Sequence, residues 1–153
     1  MSYRRAARSA TRVRERDAAS ELVVVDASIA VQWFANEPRS SAAARLLEEE
    51  QRLCAPDLMP VGAANAWWKK VRLGHMEAAD LDQALVNLLS LGVELVPAAS
   101  LLARTARLAV EVGHSVYDCL YLTLARDRRA QLATDDRALR RAAVRLDIPV
   151  WEP

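Results

Sequence analysis

The chain has 153 residues, enough for one domain that buries a core without disulfide or metal staples. Apolar residues make up 52% of it, yet no window approaches the roughly 20 uninterrupted apolar residues of a membrane helix, which excludes such a span. The net charge of +1 hides an asymmetry, because residues 1–21 carry six arginines against three acids, a net of +3.

That opening stretch, MSYRRAARSATRVRERDAAS, lacks the apolar centre of a signal peptide. It reads as an arginine-rich N-terminal extension over 1–21, disordered by composition; a nucleic-acid arm, a transit-like segment and sequence upstream of the true start are the alternatives. The folded domain is expected over 22–153. Cys54 and Cys119 lie far apart in the chain and form no CxxC pair, so they read as reduced core residues of a cytoplasmic protein. His75 and His114 are isolated and receive no role.

VVVDASIAVQWF, residues 23–34, is a short apolar strand that runs into Asp26 and then into helix-forming residues. RSSAAARLLEEEQR, 39–52, reads as a helix capped by Ser40 or Ser41, and LCAPDL breaks it, since Pro56 disfavours a helix on its N-terminal side. A second helix covers 58–74, with Pro60 in its first turn and Gly74 at its end. From Glu77 the leucines 81, 85, 88 and 89 recur at helical spacing, with Gly92 as a stop. VELVP is a short strand. Leu101, Thr105, Leu108 and Val112 continue the helical pattern to Gly113. SVYDCLYLTLARDRR is a further helix, AQLATD a buried strand, DRALRRAAVRL a helix, and IPVWEP a last strand. Strands separated by helices imply an α/β fold with a parallel sheet, because a parallel crossover needs a connection of about a dozen residues. The helical stretch from 58 to 91, with no strand inside it, predicts a helical pair projecting from the sheet.

In open α/β sheets ligands bind beyond the carboxyl ends of the strands. Two predicted strands end there in acid, at Asp26 and at Asp135–Asp136, and a third acid, Asp118, stands in an apolar helical context. Several converging carboxylates repel one another unless a cation lies between them. Oxygen ligands without histidine or cysteine favour magnesium or manganese over zinc, and such ions serve phosphate chemistry. Capping is the alternative for Asp26 and Asp136, which aspartate commonly provides at the start of a helix, and a solvated helix position is the alternative for Asp118.

Four blocks in order, VVVDAS, APDLMPVGAANAWWKK, SVYDCLYLTLA and LATDDRAL, resemble the PIN-domain ribonucleases, particularly the VapC toxins of bacterial toxin–antitoxin pairs. The resemblance runs from about Leu22 to the C-terminus. It implies a PIN-like α/β/α sandwich with a central parallel sheet, and a pocket of three or four acids holding Mg²⁺ or Mn²⁺ for RNA hydrolysis to a 5′ phosphate and a 3′ hydroxyl. By this resemblance Asp26, Asp118 and Asp136 are the catalytic and metal-holding acids, with Ser28, Thr134 and Asn65 in support. The sequence departs at one block: Gly62 stands three residues before Asn65, where the family carries a glutamate. Glycine brings no ligand and costs about 1 kcal/mol in a helix relative to alanine, so helix propensity does not explain it. A pseudo-enzyme, a weak enzyme working with three acids, and a selected or deliberate inactivation are the three accounts.

Seven arginines lie between 126 and 145, and Arg137, Arg140 and Arg141 are the candidates for RNA phosphates, a solvated helix face being the alternative. Trp67 and Trp68 point about 100° apart on a helix, so at most one sits centrally in the core; a contact surface that Trp33 and Phe34 join is one reading for the other, and plain core packing is the alternative for most of these four aromatics. The expected partners are RNA, a small antitoxin protein and a second copy in a homodimer, with no membrane. Two other functions compete: a catalytically inactive RNA- or antitoxin-binding module, and a phosphoacceptor signalling domain. The latter is disfavoured because the first strand ends in no acid pair and no lysine follows a late strand.

Overall fold

The computed structural model describes residues 22–34 and 40–153, and the arginine-rich extension lies outside them. Strand β1 (Leu22–Val25) is buried at all four positions. A strand covered by helices on both faces has no solvent side, so it is written as a continuous apolar run rather than an alternation. Its side chains still divide by the period of two. Leu22 and Val24 join the larger core with Trp67, Leu108 and Leu122, whereas Val23 and Val25 join a smaller one with Ile29, Leu46 and Trp151.

The elements follow as α1 (Ala27–Trp33), α2 (Ser40–Glu48), β2 (Arg52–Pro56), α3 (Leu58–Arg72), α4 (Ala78–Ser90), β3 (Glu94–Val96), α5 (Ala98–Val112), α6 (Val116–Arg128), β4 (Gln131–Ala133) and α7 (Arg137–Arg145). All strand pairs are parallel and the sheet order is β3-β2-β1-β4. Helices cover both faces, as expected for the α/β/α sandwich, and α3 packs on α4 as the helical pair. The chain leaves β1 toward β2 and β3 and returns past β1 to β4. The order of the strands therefore reverses between β1 and β4, and their carboxyl ends form the crevice where open α/β sheets bind ligands.

Three local expectations need correction. The helix expected to reach Arg52 stops at Glu48, and the LCAP of LCAPDL belongs to a strand, β2, rather than a mere break. Glu48, Glu49 and Glu50 set negative charge against the negative end of the helix dipole, which disfavours extension, while Cys54 and Ala55 are fully buried in the sheet. IPVWEP forms no strand, only a single bridge of Val150 to Leu132. Leu132 donates to the Pro149 carbonyl at 2.8 Å and accepts from the Trp151 N–H at 2.9 Å. Pro149 has no N–H to carry a ladder further.

The helix ends match their residues. Gly113 closes α5 in the left-handed conformation at φ 71°, which costs glycine nothing. Ser115 caps α6, its Oγ accepting from the Asp118 N–H at 3.1 Å. The adjacent tryptophans separate as the helical rotation requires: Trp67 is fully buried and donates to the Val31 carbonyl at 3.3 Å, and Phe34 meets its ring edge-on. Trp68 is exposed, with the Arg72 guanidinium 5.2 Å from its ring centre. Trp67→Ala is expected to cost about 3–5 kcal/mol in urea denaturation, and Trp68→Ala less than about 1 kcal/mol.

Candidate active site

Asp26 stands at the end of β1, with its backbone N–H bonded to the Ala133 carbonyl of β4 at 3.0 Å, so the first acid is fixed at the reversal point by the sheet itself. It precedes α1 but makes no side-chain capping bond, which sets aside the capping alternative for this residue. Its carboxylate is buried at 8% exposure, and Oδ2 accepts from Ser28 Oγ at 2.7 Å and Thr134 Oγ1 at 2.8 Å. Burial raises its pKa above the ordinary aspartate value. The bonds from Ser28, Thr134 and the Ala27 backbone pull it back only in part, and the charge of Asp118 pushes it further up.

The two hydroxyls also tie the loop after β4 to the start of α1. Ser28 Oγ accepts from the Asp135 N–H at 2.9 Å, and Thr134 Oγ1 accepts from the Asp136 N–H at 3.0 Å. Gln32, four residues beyond Ser28 and buried, donates through Nε2 to the Ser28 carbonyl at 3.0 Å and to Asp135 Oδ2 at 3.2 Å. Gln32 is absent from the expected set, although a long polar side chain amid the apolar residues of IAVQWF is the signal that marks it.

The remaining candidates occupy different situations. Asp118 is half-buried in the first turn of α6, near enough to act electrostatically on Asp26 and on Tyr121. Tyr121, one turn on and buried, has its hydroxyl held protonated by burial, then by the charges of Asp26 and Asp118. Asp136 is exposed and caps α7, its Oδ1 accepting from the Ala138 and Leu139 N–H groups at 2.7 and 2.9 Å. Its Oδ2 takes no bond among the described residues. Asn65 lies exposed on α3. A Cβ built on Gly62 would sit 3.1 Å from the Cβ of Ala27, the residue after Asp26, so position 62 faces the same corner of the site. Arg140 is bound by both oxygens of Glu152, whereas Arg137 and Arg141 are exposed without an ion pair among the described residues. Burial pushes the Cys54 thiol up to about 11 and raises Cys119 as well, so neither cysteine is a poised nucleophile.

Among the described residues no three His, Cys, Asp or Glu side chains are gathered closely enough to hold a metal ion. The donor chemistry nevertheless suits a hard divalent cation held loosely. The charge of Asp118 adds to the cost of ionising Asp26, and magnesium takes only one or two carboxylates from a protein and keeps most of its waters.

Among known proteins, the family model described as PIN domain matches residues 23–145. Ribonuclease VapC3 of Pyrobaculum aerophilum is 32% identical over 119 residues, covering 76% of this chain and 91% of that protein. The crystal structure of PAE2754, also from Pyrobaculum aerophilum, superposes with a TM-score of 0.64 at 28% identity, over 81% of this chain and 80% of the other. The Mycobacterium tuberculosis toxin VapC20, described as sarcin-ricin loop cleaving, superposes with a TM-score of 0.65 over 86% of this chain and 99% of its own, and at 17% identity speaks for the fold alone.

The raised pKa of Asp26 has a definite sign for stability. The metal-free folded protein holds this proton more tightly than the unfolded chain does, so the group's contribution falls as pH rises through the interval between the two pKa values. Asp26→Asn keeps an acceptor for both hydroxyls and removes the charge. It is expected to raise the urea midpoint at pH 7, and the gain should vanish below about pH 3.9, where the native side chain is neutral too.

Proposed function

This chain belongs to the PIN-domain family, and on that premise we propose that it is a divalent-metal-dependent endoribonuclease of the VapC toxin type, weakened at its metal site by Gly62. The observation that carries the reading is Asp26, a carboxylate kept buried at the sheet's reversal point with the charge of Asp118 beside it. Asp26 and Asp118 would hold Mg²⁺ or Mn²⁺, and Asp136 would offer the oxygen that its capping bonds leave over. The ion would supply an activated water and charge stabilisation at phosphorus.

The protein's own residues do the rest. Ser28 and Thr134 fix the Asp26 carboxylate in one orientation through Oδ2, and their second bonds, to the Asp135 and Asp136 amides, lock the loop that carries the third acid. Arg137 and Arg141, at the start and middle of α7, supply exposed positive charge next to that loop for RNA phosphates. A small antitoxin and a second copy of the chain are the protein partners this type implies, and the exposed Val61 and Trp68 on α3 are available to them. The shortage of acids favours one further reading, a PIN module that binds RNA or antitoxin without cutting.

Manganese-dependent cleavage of a mixed cellular RNA pool separates these. Gly62→Ala is included because it adds only the crowding against Ala27, and Gly62→Glu adds the carboxylate as well. The native chain is expected to cut slowly, Gly62→Ala no faster, and Gly62→Glu at least about tenfold faster, about 1.4 kcal/mol in the barrier, with a chelator stopping all three. If none cuts while RNA is still bound, the binding module replaces the nuclease. In the same system, replacing Arg137 and Arg141 by alanine should weaken RNA binding and lower its salt slope by roughly 0.7 per charge.

A further inference from the structure

The first turn of α6 is brought to the acid site by topology. α6 leads into β4, which lies parallel to β1, and it packs on both strands, so it runs back along the sheet and begins over their carboxyl ends. Asp118 in that turn is half-buried, and its charge reaches Asp26. Tyr121, one turn further on, is buried in the larger core, against which Ala27 also packs. Residues four apart on a helix share a face. Tyr117, four before Tyr121, therefore continues that face outward, past the core and to the rim of the acid site.

Tyr117 is 68% exposed, and its ring is held by nothing. The other described aromatic residues are committed: Trp67, Tyr121 and Trp151 are buried, Trp33 and Phe34 pack against the cores, and Trp68 has the Arg72 guanidinium over its ring. Among the described residues the Tyr117 ring meets no aromatic and no cationic partner. The carboxylates beside it repel phosphate groups, so a nucleic acid held at this rim needs a contact that carries no charge. A free aromatic face is such a contact, because every nucleobase has a π-face to lay on it.

We propose that Tyr117 is the platform on which an unpaired base of the RNA stacks, next to the phosphodiester placed at Asp26 and Asp118. The inference rests on the RNA-cleaving reading of that site. A duplex keeps its bases inside its own stack, so the contact restricts binding to single-stranded segments, whose bases can be splayed out onto a side chain. Stacking uses the ring and not the hydroxyl, and it favours purines, whose larger rings cover more of the face. Arg137 and Arg141 follow Asp136 on α7, and Tyr117 precedes Asp118 on α6, so contacts to phosphate and to base come from two different helices. A protein partner would use the same ring as an apolar contact only, which leucine can replace.

The test is the affinity of the full chain for labelled decamers of adenylate and of uridylate, read by fluorescence anisotropy in chelator so that nothing is cut, together with the kinetics of Mn²⁺-dependent cleavage of the mixed RNA pool. The native chain is expected to bind adenylate more tightly than uridylate, and Tyr117→Phe to match it within about twofold. Tyr117→Leu should bind adenylate at least about fivefold more weakly, within the span of one base stack, and lose most of the preference over uridylate. In cleavage it should raise KM by a similar factor while kcat stays within about twofold, the mark of a contact that binds without taking part in the chemistry. Its urea midpoint should not move, as expected of an exposed side chain. A Tyr117→Leu variant that binds and cuts like the native chain, or a Tyr117→Phe variant that loses as much as it does, would overturn the proposal. The first result leaves the ring to a protein partner and the nuclease reading intact; if RNA is neither bound nor cut by the native chain, the reading beneath falls together with the proposal.

Discussion

The hydrogen bonds from Ser28 and Thr134 to one oxygen of Asp26 are the constraint on which the rest of the site depends. A carboxylate removed from water is costly unless it is bonded or paired. Here the offset comes from two neutral hydroxyls and the Ala27 backbone and falls short, because burial still leaves the acid above its ordinary pKa and Asp118 adds to the penalty. Each hydroxyl also accepts from a backbone amide after β4. Five groups, one carboxylate, two hydroxyls and two amides, from two distant stretches of chain are thus held in one arrangement, and on the proposed reading a bound cation relieves the negative charge at its centre.

Gly62 follows from the same geometry. Position 62 faces Ala27 at 3.1 Å from a built Cβ, so a side chain there would enter the corner where Asp26 and α1 begin. The glycine has no positive φ to justify it, and on the proposed reading it leaves the corner short of one acid. A site with fewer carboxylates repels itself less without metal and attracts a cation less strongly. On the proposed reading, stability without metal and affinity for metal are set against each other at this one residue.

The elements with strong periodicity or clear punctuation were legible in the sequence: the apolar run before Asp26, the helices closed by Gly92 and Gly113, and the projecting pair α3 and α4. β2 was hidden because its proline reads as a helix breaker, while the burial of Cys54 and Ala55 depends on neighbours on both sides of the sheet. The C-terminal segment alternates like a strand, but Pro149 limits it to one bridge, a consequence visible only once its partner is known. Within the site, Asp26 announced itself by position and Thr134 by its place before the acid pair. Gln32 was marked only as a polar side chain in an apolar run, its bond to Asp135 joining positions about a hundred residues apart, and the Arg140–Glu152 pair was not legible, since it joins side chains a dozen residues apart.

Whether Asp26 is a buried carboxylate that a cation relieves is tested most directly by carboxyl ¹³C resonances measured against pH, with and without Mg²⁺. In metal-free protein the Asp26 carboxyl should titrate above the ordinary aspartate range. With Mg²⁺ its titration should move to lower pH, with the Asp118 resonance shifting alongside it. An Asp26 that titrates normally, or one whose titration Mg²⁺ leaves in place, would contradict the account.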